Sequence, residues 1–164
     1  MASNKKSRLT MGRVLITVGI LLRIFQIIGS YLHLSIASDA ILSGCMLCFF
    51  TGGLGVFAYE HRGRVTLFAL LCALCCLCST FMVSVTGLGG FVKFLSVTLY
   101  FLTFAAFGFM ILFMERPIQK GIGAIIILMG AALILPIAGI AIAQGMVFIL
   151  LIGIWTLMGV SIYI

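Results

Sequence analysis

The last 44 residues of the chain, from Gly121 to Ile164, contain no charged side chain. A single helix of that length would extend for roughly 66 Å, about twice the hydrocarbon thickness of a membrane. The segment therefore predicts two membrane-crossing helices, with the turn at Pro136 and Gly139. The whole chain is 64% hydrophobic and 8% charged, with a mean hydropathy of +1.39, which leaves too little polar surface for a water-soluble globule.

The charged residues mark the ends of the other helices, because charges gather where a chain in lipid returns to water. At roughly 27 residues for each span and turn, 164 residues give six spans. The predicted fold class is all-α: a basic tail, residues 1–13, followed by one transmembrane domain, residues 14–164. The spans are expected at Val14 to Leu34, Ala40 to Tyr59, Val65 to Val85, Lys93 to Met114, Ile118 to Leu135 and Gln144 to Ile164.

The basic residues predict the orientation of these spans. Eight of the ten lie before the first span, between the second and third, or between the fourth and fifth: Lys5, Lys6, Arg8, Arg13, Arg62, Arg64, Arg116 and Lys120. An even number of spans separates the three regions, so they share one side, and the positive-inside rule makes that side the cytoplasm. Both termini are then cytoplasmic, and topology and anionic lipid explain the net charge of +7 without a nucleic-acid partner.

A repeated threonine predicts internal symmetry. Thr51, Thr103 and Thr156 are 52 and 53 residues apart, each with a glycine within the next five residues. This period predicts three tandem helical hairpins, residues 14–59, 65–114 and 118–164, in which each threonine hydroxyl bonds back to a carbonyl of its own helix. A second match, Gly12-Arg13-Val14 with Gly63-Arg64-Val65, extends the repeat to the odd-numbered helices. The alternative is six unrelated spans.

Small residues predict where helices approach closely, since helix association in lipid depends on backbone contact. Gly44, Cys48 and Gly52 form a row at intervals of four on the second span. The expected role is tight packing against a neighbouring helix or another subunit, and the alternative is a substrate path lined by exposed backbone. The other glycines expected to pack are Gly53, Gly55, Gly130, Gly153 and Gly159.

Arg23 is the candidate for a functional site within the membrane. It lies roughly 13 Å into the first span, where an ionised side chain costs several kcal/mol unless it is paired or hydrated. Gln26 shares its helix face, and the three acids of the chain, Asp39, Glu60 and Glu115, are expected at membrane surfaces. We expect Arg23 to face protein, with neutral acceptors, an anion or a lipid headgroup around it. The alternative is an arginine that extends to the nearer headgroups or binds carbonyls of a neighbouring helix.

The cysteines offer a metal or redox alternative. Cys45 and Cys48 on the second span and Cys75 and Cys78 on the third are expected at similar depth, and two such pairs can bind zinc or copper or exchange disulfides. A tetrathiolate site carries net negative charge, which is costly in hydrocarbon, so packing is the favoured role and no metal or other cofactor is predicted.

Catalysis finds no support in the sequence. His33 and His61 are expected at opposite membrane surfaces, so they cannot serve one site. The chain contains no phosphate loop, no nucleophile with a neighbouring base and no zinc-protease signature. We therefore predict a protein that is not an enzyme.

The stretch from Pro136-Ile-Ala-Gly139 through Gly153-Ile-Trp-Thr-Leu-Met-Gly159 resembles the HdeD-like family of small bacterial inner-membrane proteins. The resemblance implies six spans as three hairpins, a bacterial cytoplasmic membrane and a link to acid resistance. It implies no catalytic residues.

Two function classes remain. The first is a non-enzymatic membrane protein, related to envelope or acid stress, whose partners are the lipid bilayer and either further copies of itself or other membrane proteins. The second is a small channel or transporter with a pathway near Arg23. The scarcity of polar residues at mid-membrane favours the first class, because a pathway needs a polar lining.

Overall fold

A computed structural model describes residues 2–32, 39–61, 63–84, 90–114, 116–133 and 144–164. These residues form six helices, which confirms the predicted all-α class. The helices are α1 Ala2–Tyr31, α2 Asp39–Glu60, α3 Arg64–Ser84, α4 Gly90–Leu112, α5 Pro117–Ala132 and α6 Gln144–Ser161. The predicted turn at Pro136 and Gly139 lies outside the described residues.

Four of the helices contain a segment long and apolar enough to cross a membrane. The segments are Ser7–Tyr31, Ile41–Glu60, Arg64–Met82 and Phe94–Leu112. The helices α5 and α6 are also apolar but shorter, with 16 and 18 residues, or about 24 and 27 Å. The chain is therefore a helical protein of membrane type.

The helices pack mainly as sequential neighbours. Contact is most extensive between α1 and α2 and between α3 and α4, and α4 also packs against α5. The last helix, α6, contacts α1, α5 and α4 less extensively. The α1–α6 contact joins the two ends of the chain, and it holds the cavities described below.

Glycine allows the closest approach of α1 and α2. A Cβ atom added at Gly53 would lie 2.6 Å from Ile16 Cγ1 and 2.9 Å from the Gly12 carbonyl oxygen. A Cβ atom added at Gly19 would lie 2.7 Å from the backbone nitrogen of Phe50. The two backbones are thus in direct contact, as in other pairs of membrane helices with small residues at the interface.

The glycine row on α2 does not take part in this contact. A Cβ atom at Gly44, Gly52 or Gly55 would have no neighbour within 4 Å, and all three positions are exposed. Their predicted close packing is therefore not made by the described helices of this chain. Sequence spacing shows which residues share a helix face, but it does not show which face meets a neighbour.

The other three glycines predicted to pack lie close to a neighbouring helix. The nearest atoms to an added Cβ are Phe104 Cβ at 3.1 Å for Gly130, Met129 Cε at 3.0 Å for Gly153 and Ile20 Cγ2 at 3.7 Å for Gly159.

An aromatic cluster fills the centre of the bundle. The indole of Trp155 is fully buried and meets Phe50 and Phe104 edge to face, with ring centroids 5.4 and 5.6 Å apart. Phe107 stacks on Phe50 at 6.3 Å. These rings come from α2, α4 and α6, so the cluster joins helices that are distant in sequence.

The match of Gly12-Arg13-Val14 with Gly63-Arg64-Val65 does not correspond to equivalent structure. Gly12 lies inside α1, where an added Cβ would meet Val56 at 3.1 Å. Gly63 precedes α3 with a φ of +75°, and an added Cβ there would have no neighbour within 4 Å. Gly63 serves a turn that requires the left-handed conformation, so this part of the predicted repeat is wrong.

Candidate functional site

The guanidinium of Arg23 lies between two helices of the bundle. Arg23 is eight residues before Tyr31 in α1, about 12 Å from that end of the helix. Its Nη1 donates a hydrogen bond to Gln26 Oε1 at 3.2 Å, and its Nη2 donates one to the Tyr100 hydroxyl at 3.4 Å. The cation also lies 5.4 Å from the centroid of the Tyr100 ring. Both partners are neutral protein groups.

The contacts of Arg23 belong to a network that joins four helices. The Trp155 indole donates to the same Tyr100 hydroxyl at 3.2 Å, and the Gln26 amide donates to Ser43 Oγ at 2.8 Å. Gln26 is buried, with 5% of its surface exposed. Residues of α1, α2, α4 and α6 therefore share one polar network inside an apolar bundle.

The network leaves the charge of Arg23 incompletely compensated. Its Nε atom is buried and has no hydrogen-bond partner among the described residues. A guanidinium carries five N–H donors, and the network uses one on each Nη atom. The second N–H of each Nη atom is available to a further acceptor.

A cleft of about 650 Å³ opens beside Arg23 between α1 and α6. The α1 wall carries the polar side chains and the α6 wall is apolar. Near the end of the cleft the Tyr31 and Phe148 rings stack with centroids 4.1 Å apart. The cleft is lined by Arg23, Gln26, Ile27, Ser30, Tyr31, Val147, Phe148 and Leu151.

A second groove, of about 430 Å³, lies on the same seam toward the start of α1 and the end of α6. Thr17 and Tyr163 bridge the seam there, with their hydroxyl oxygens 2.9 Å apart. Most of its lining is apolar: Thr17, Ile20, Leu21, Ile24, Thr156, Gly159, Val160, Tyr163 and Ile164. The two cavities follow one another along the α1–α6 seam.

The repeat threonines do not meet at a site. Thr51, Thr103 and Thr156 donate to the carbonyls four residues earlier, at 2.6, 3.0 and 2.8 Å. Three other threonines make the same bond, so it is a general property of threonine in a helix. Thr103 is buried, Thr51 is half-buried and Thr156 is exposed, so their surroundings differ.

The two cysteine pairs are not brought together as a metal site. Cys45 and Cys48 are exposed on α2, whereas Cys75 is buried and Cys78 is half-buried on α3. All six cysteines are free thiols. Within the described parts of the chain, no group of three or more cysteine, histidine or acidic side chains is placed to hold a metal ion.

His61 contributes nothing to the Arg23 site. His61 stacks on Phe57 at 4.1 Å, and its Nδ1 lies 2.9 Å from the Phe57 carbonyl oxygen. His33 lies outside the described residues.

Sequence reasoning missed both Tyr100 and Trp155 as members of the Arg23 network. Tyr100 is separated from Arg23 by 77 residues, so no local spacing connects them. One available signal was the depth of Tyr100, seven residues into the predicted span that begins at Lys93, where a phenol in apolar surroundings usually needs a hydrogen-bond partner.

Comparisons of the chain with protein-family models, with curated proteins and with solved structures find no match. The fold and the site together define a helical protein of membrane type with a cationic side chain beside an open cleft. The resemblance to the HdeD-like family remains a prediction from the motif on α6.

Proposed function

We propose that this protein is a non-enzymatic, multi-pass protein of the cell membrane that acts by binding a ligand within its helix bundle. The observation that carries the proposal is Arg23, which is held by neutral groups and faces a cleft of about 650 Å³. A cation in such a position is typical of a binding site for an anionic group. The HdeD-like resemblance favours a bacterial inner membrane and a role in envelope or acid stress.

We further propose six spans with both termini cytoplasmic. The helices α5 and α6 run antiparallel, because Gln119 near the start of α5 donates to the Ser161 carbonyl at the end of α6, at 3.2 Å. The Arg116 guanidinium donates to the carbonyl of Ile164. This arrangement is expected of a helical hairpin, and residues 134–143 connect the two helices.

The basic side chains support three hairpins with their open ends on one side. The Arg8 guanidinium lies over the Tyr59 ring at 5.9 Å, joining the start of α1 to the end of α2. Arg64 lies over Phe113 at 5.2 Å and joins α3 to the end of α4 in the same way. Together with the Arg116 contact, each hairpin has an arginine at the end where the positive-inside rule places the cytoplasm.

Two pairs of contacts support a repeat of the first hairpin in the second. The Gln26–Ser43 bond and the Ser79–Ser96 bonds each join residues 17 apart, and adding 53 to 26 and 43 gives 79 and 96. Adding 53 to 19 and 50 gives 72 and 103, so Thr103 corresponds here to Phe50, one residue away from its predicted match with Thr51. Gly19 packs on Phe50, and the Cys72 thiol donates to the Thr103 carbonyl at 3.4 Å.

The second candidate is a channel or transporter, which the two successive cavities along the α1–α6 seam favour. The groove beyond Arg23 is mostly apolar, however, and a polar solute or ion crossing it would leave its hydration shell without replacement. Binding therefore accounts better for the geometry.

A flux measurement on the full-length protein in liposomes distinguishes the binding function from the channel or transporter function. Vesicles loaded with a pH-sensitive or chloride-sensitive dye are expected to leak no faster than protein-free vesicles. Faster flux that Arg23→Gln abolishes would establish the transport function and overturn the binding function.

A further inference from the structure

We propose that the α1–α6 cleft binds an anionic phospholipid, with its phosphate at the Arg23 guanidinium and part of an acyl chain along the α6 wall. The inference rests on the proposed membrane location, and it names the ligand of the same site.

The positive charge of Arg23 indicates that the lipid headgroup is anionic. The described partners of Arg23 are the neutral side chains of Gln26 and Tyr100, and they leave its positive charge without an opposite charge. One N–H group remains on each Nη atom, and a guanidinium is suited to binding the oxygens of a phosphate. A net negative ligand therefore compensates the cation, whereas a zwitterionic headgroup brings a second positive charge into the cleft.

The difference in polarity between the two walls of the cleft indicates an amphiphilic ligand. Arg23, Gln26 and Ser30 are spaced i, i+3 and i+7, so they form a polar stripe along one face of α1. The stripe leads from the Tyr31 end of the helix down to the guanidinium. Val147, Phe148 and Leu151 form the opposite wall and offer only apolar contacts. A headgroup against α1 and a hydrocarbon chain against α6 match this division.

The size of the cleft and the groove that continues it fit a lipid. A volume of about 650 Å³ lies within the usual range for ligand pockets, roughly 300–1,000 Å³, and accommodates a headgroup with part of one chain. The apolar groove of about 430 Å³ continues along the same seam and offers room for the rest of that chain.

Lipid binding to the full-length protein in a neutral detergent tests the proposal. Native mass spectrometry compares phosphatidylglycerol with phosphatidylcholine, and soluble glycerol phosphate is added as a headgroup without chains. We expect the protein to prefer phosphatidylglycerol and to retain no glycerol phosphate at equal concentration. Equal retention of the two lipids, or binding of glycerol phosphate as tight as that of the lipid, overturns the proposal.

Three variants locate the site. Arg23→Gln is expected to weaken phosphatidylglycerol binding about tenfold or more, because it removes a charge-assisted contact. Arg8→Gln removes the same charge near Tyr59, outside the cleft, and is expected to bind like the natural chain. Leu151→Trp keeps every charge and fills the cleft, so it should also weaken binding. This variant provides the test if Arg23→Gln does not fold.

The outcomes separate this inference from the proposed function. If Arg23→Gln and Leu151→Trp both keep full preference for phosphatidylglycerol, the lipid does not occupy the cleft, and a different ligand remains open for the binding function. If Arg23→Gln abolishes a faster flux and also weakens lipid binding, transport replaces ligand binding as the function of the protein, whereas the lipid site is retained.

Discussion

Ser79 and Ser96 bond reciprocally across α3 and α4. The Ser79 hydroxyl donates to the Ser96 carbonyl at 3.1 Å, and the Ser96 hydroxyl donates to the Ser79 carbonyl at 3.3 Å. Both residues are buried, so neither hydroxyl exchanges its partner for water. The pair fixes the register of two helices whose other contacts are largely apolar.

Replacing both serines by alanine is expected to destabilise the protein by about 1 kcal/mol, because a hydrogen bond between membrane helices contributes roughly 0.6 kcal/mol. Equilibrium unfolding in mixed micelles measures the change. Thr98→Ala is the control, because the Thr98 hydroxyl bonds only its own helix, at the Phe94 carbonyl, and its loss should change the free energy of unfolding by less. An equal effect of the control and the double variant would contradict the interhelical role.

Adjacent glycines on α2 provide a second matched comparison. Gly53→Ala is expected to destabilise the protein by about 1–3 kcal/mol, because the new methyl group would lie 2.9 Å from the Gly12 carbonyl oxygen and force α1 and α2 apart. Gly52→Ala has open space around it and should be neutral or slightly stabilising, since alanine favours a helix. The same unfolding assay measures both variants. Equal destabilisation would mean that the Gly44–Gly52 row is also packed, for example against a second copy.

The helices were largely predictable from the sequence because hydrophobic length and charge position determine them. The predicted starts at Ala40, Val65, Ile118 and Gln144 lie within one residue of the observed starts. The helix α1, however, begins at Ala2, twelve residues before the predicted start at Val14, so most of the predicted basic tail is helical. The prediction for α5 was less accurate at its end, Leu135 instead of Ala132, because no charge follows to mark the boundary.

The site was only partly predictable. The sequence identified Arg23 by its depth in the first span and Gln26 by its spacing from Arg23 on the same helix face. Tyr100 and Trp155 reach them through tertiary packing, which depends on how α4 and α6 meet α1. The spacing of glycines likewise left open that Gly53 packs while Gly52 does not, since both belong to the same small-residue segment.

The proposed topology has a direct test by cysteine labelling. Single cysteines are placed at Asn4, Leu88 and Ile164 in a variant without the six natural cysteines. In intact cells a membrane-impermeant maleimide should label the cysteine at position 88 alone, because position 88 is expected on the outer side and both termini on the inner side. Permeabilised cells provide the control, in which all three positions react. Labelling of Ile164→Cys in intact cells would require an odd number of spans.

The Tyr100 hydroxyl couples Arg23 to Trp155, so their substitutions should not be additive. Tyr100→Phe leaves the Arg23 Nη2 and the Trp155 Nε1 without their shared acceptor, and we expect a loss of about 1–3 kcal/mol. In the Arg23→Gln background one of these donors is already gone. Tyr100→Phe should then cost less, with a coupling free energy of about 0.5–3 kcal/mol.

A double-mutant cycle in the micelle unfolding assay measures this coupling. The Tyr163→Phe variant is the matched control. The Tyr163 hydroxyl contacts Thr17 at the other cavity, so the effect of Tyr163→Phe should be the same with Arg23 or Gln at position 23. If Tyr100→Phe has the same effect with and without Arg23, the guanidinium does not depend on this hydroxyl and the four-helix network does not act as a unit.

The Arg23→Leu variant should insert into the membrane at least as well as the natural chain, because the substitution removes a charge. It should nevertheless be less stable, because the contacts of Arg23 with Gln26 and Tyr100 are lost.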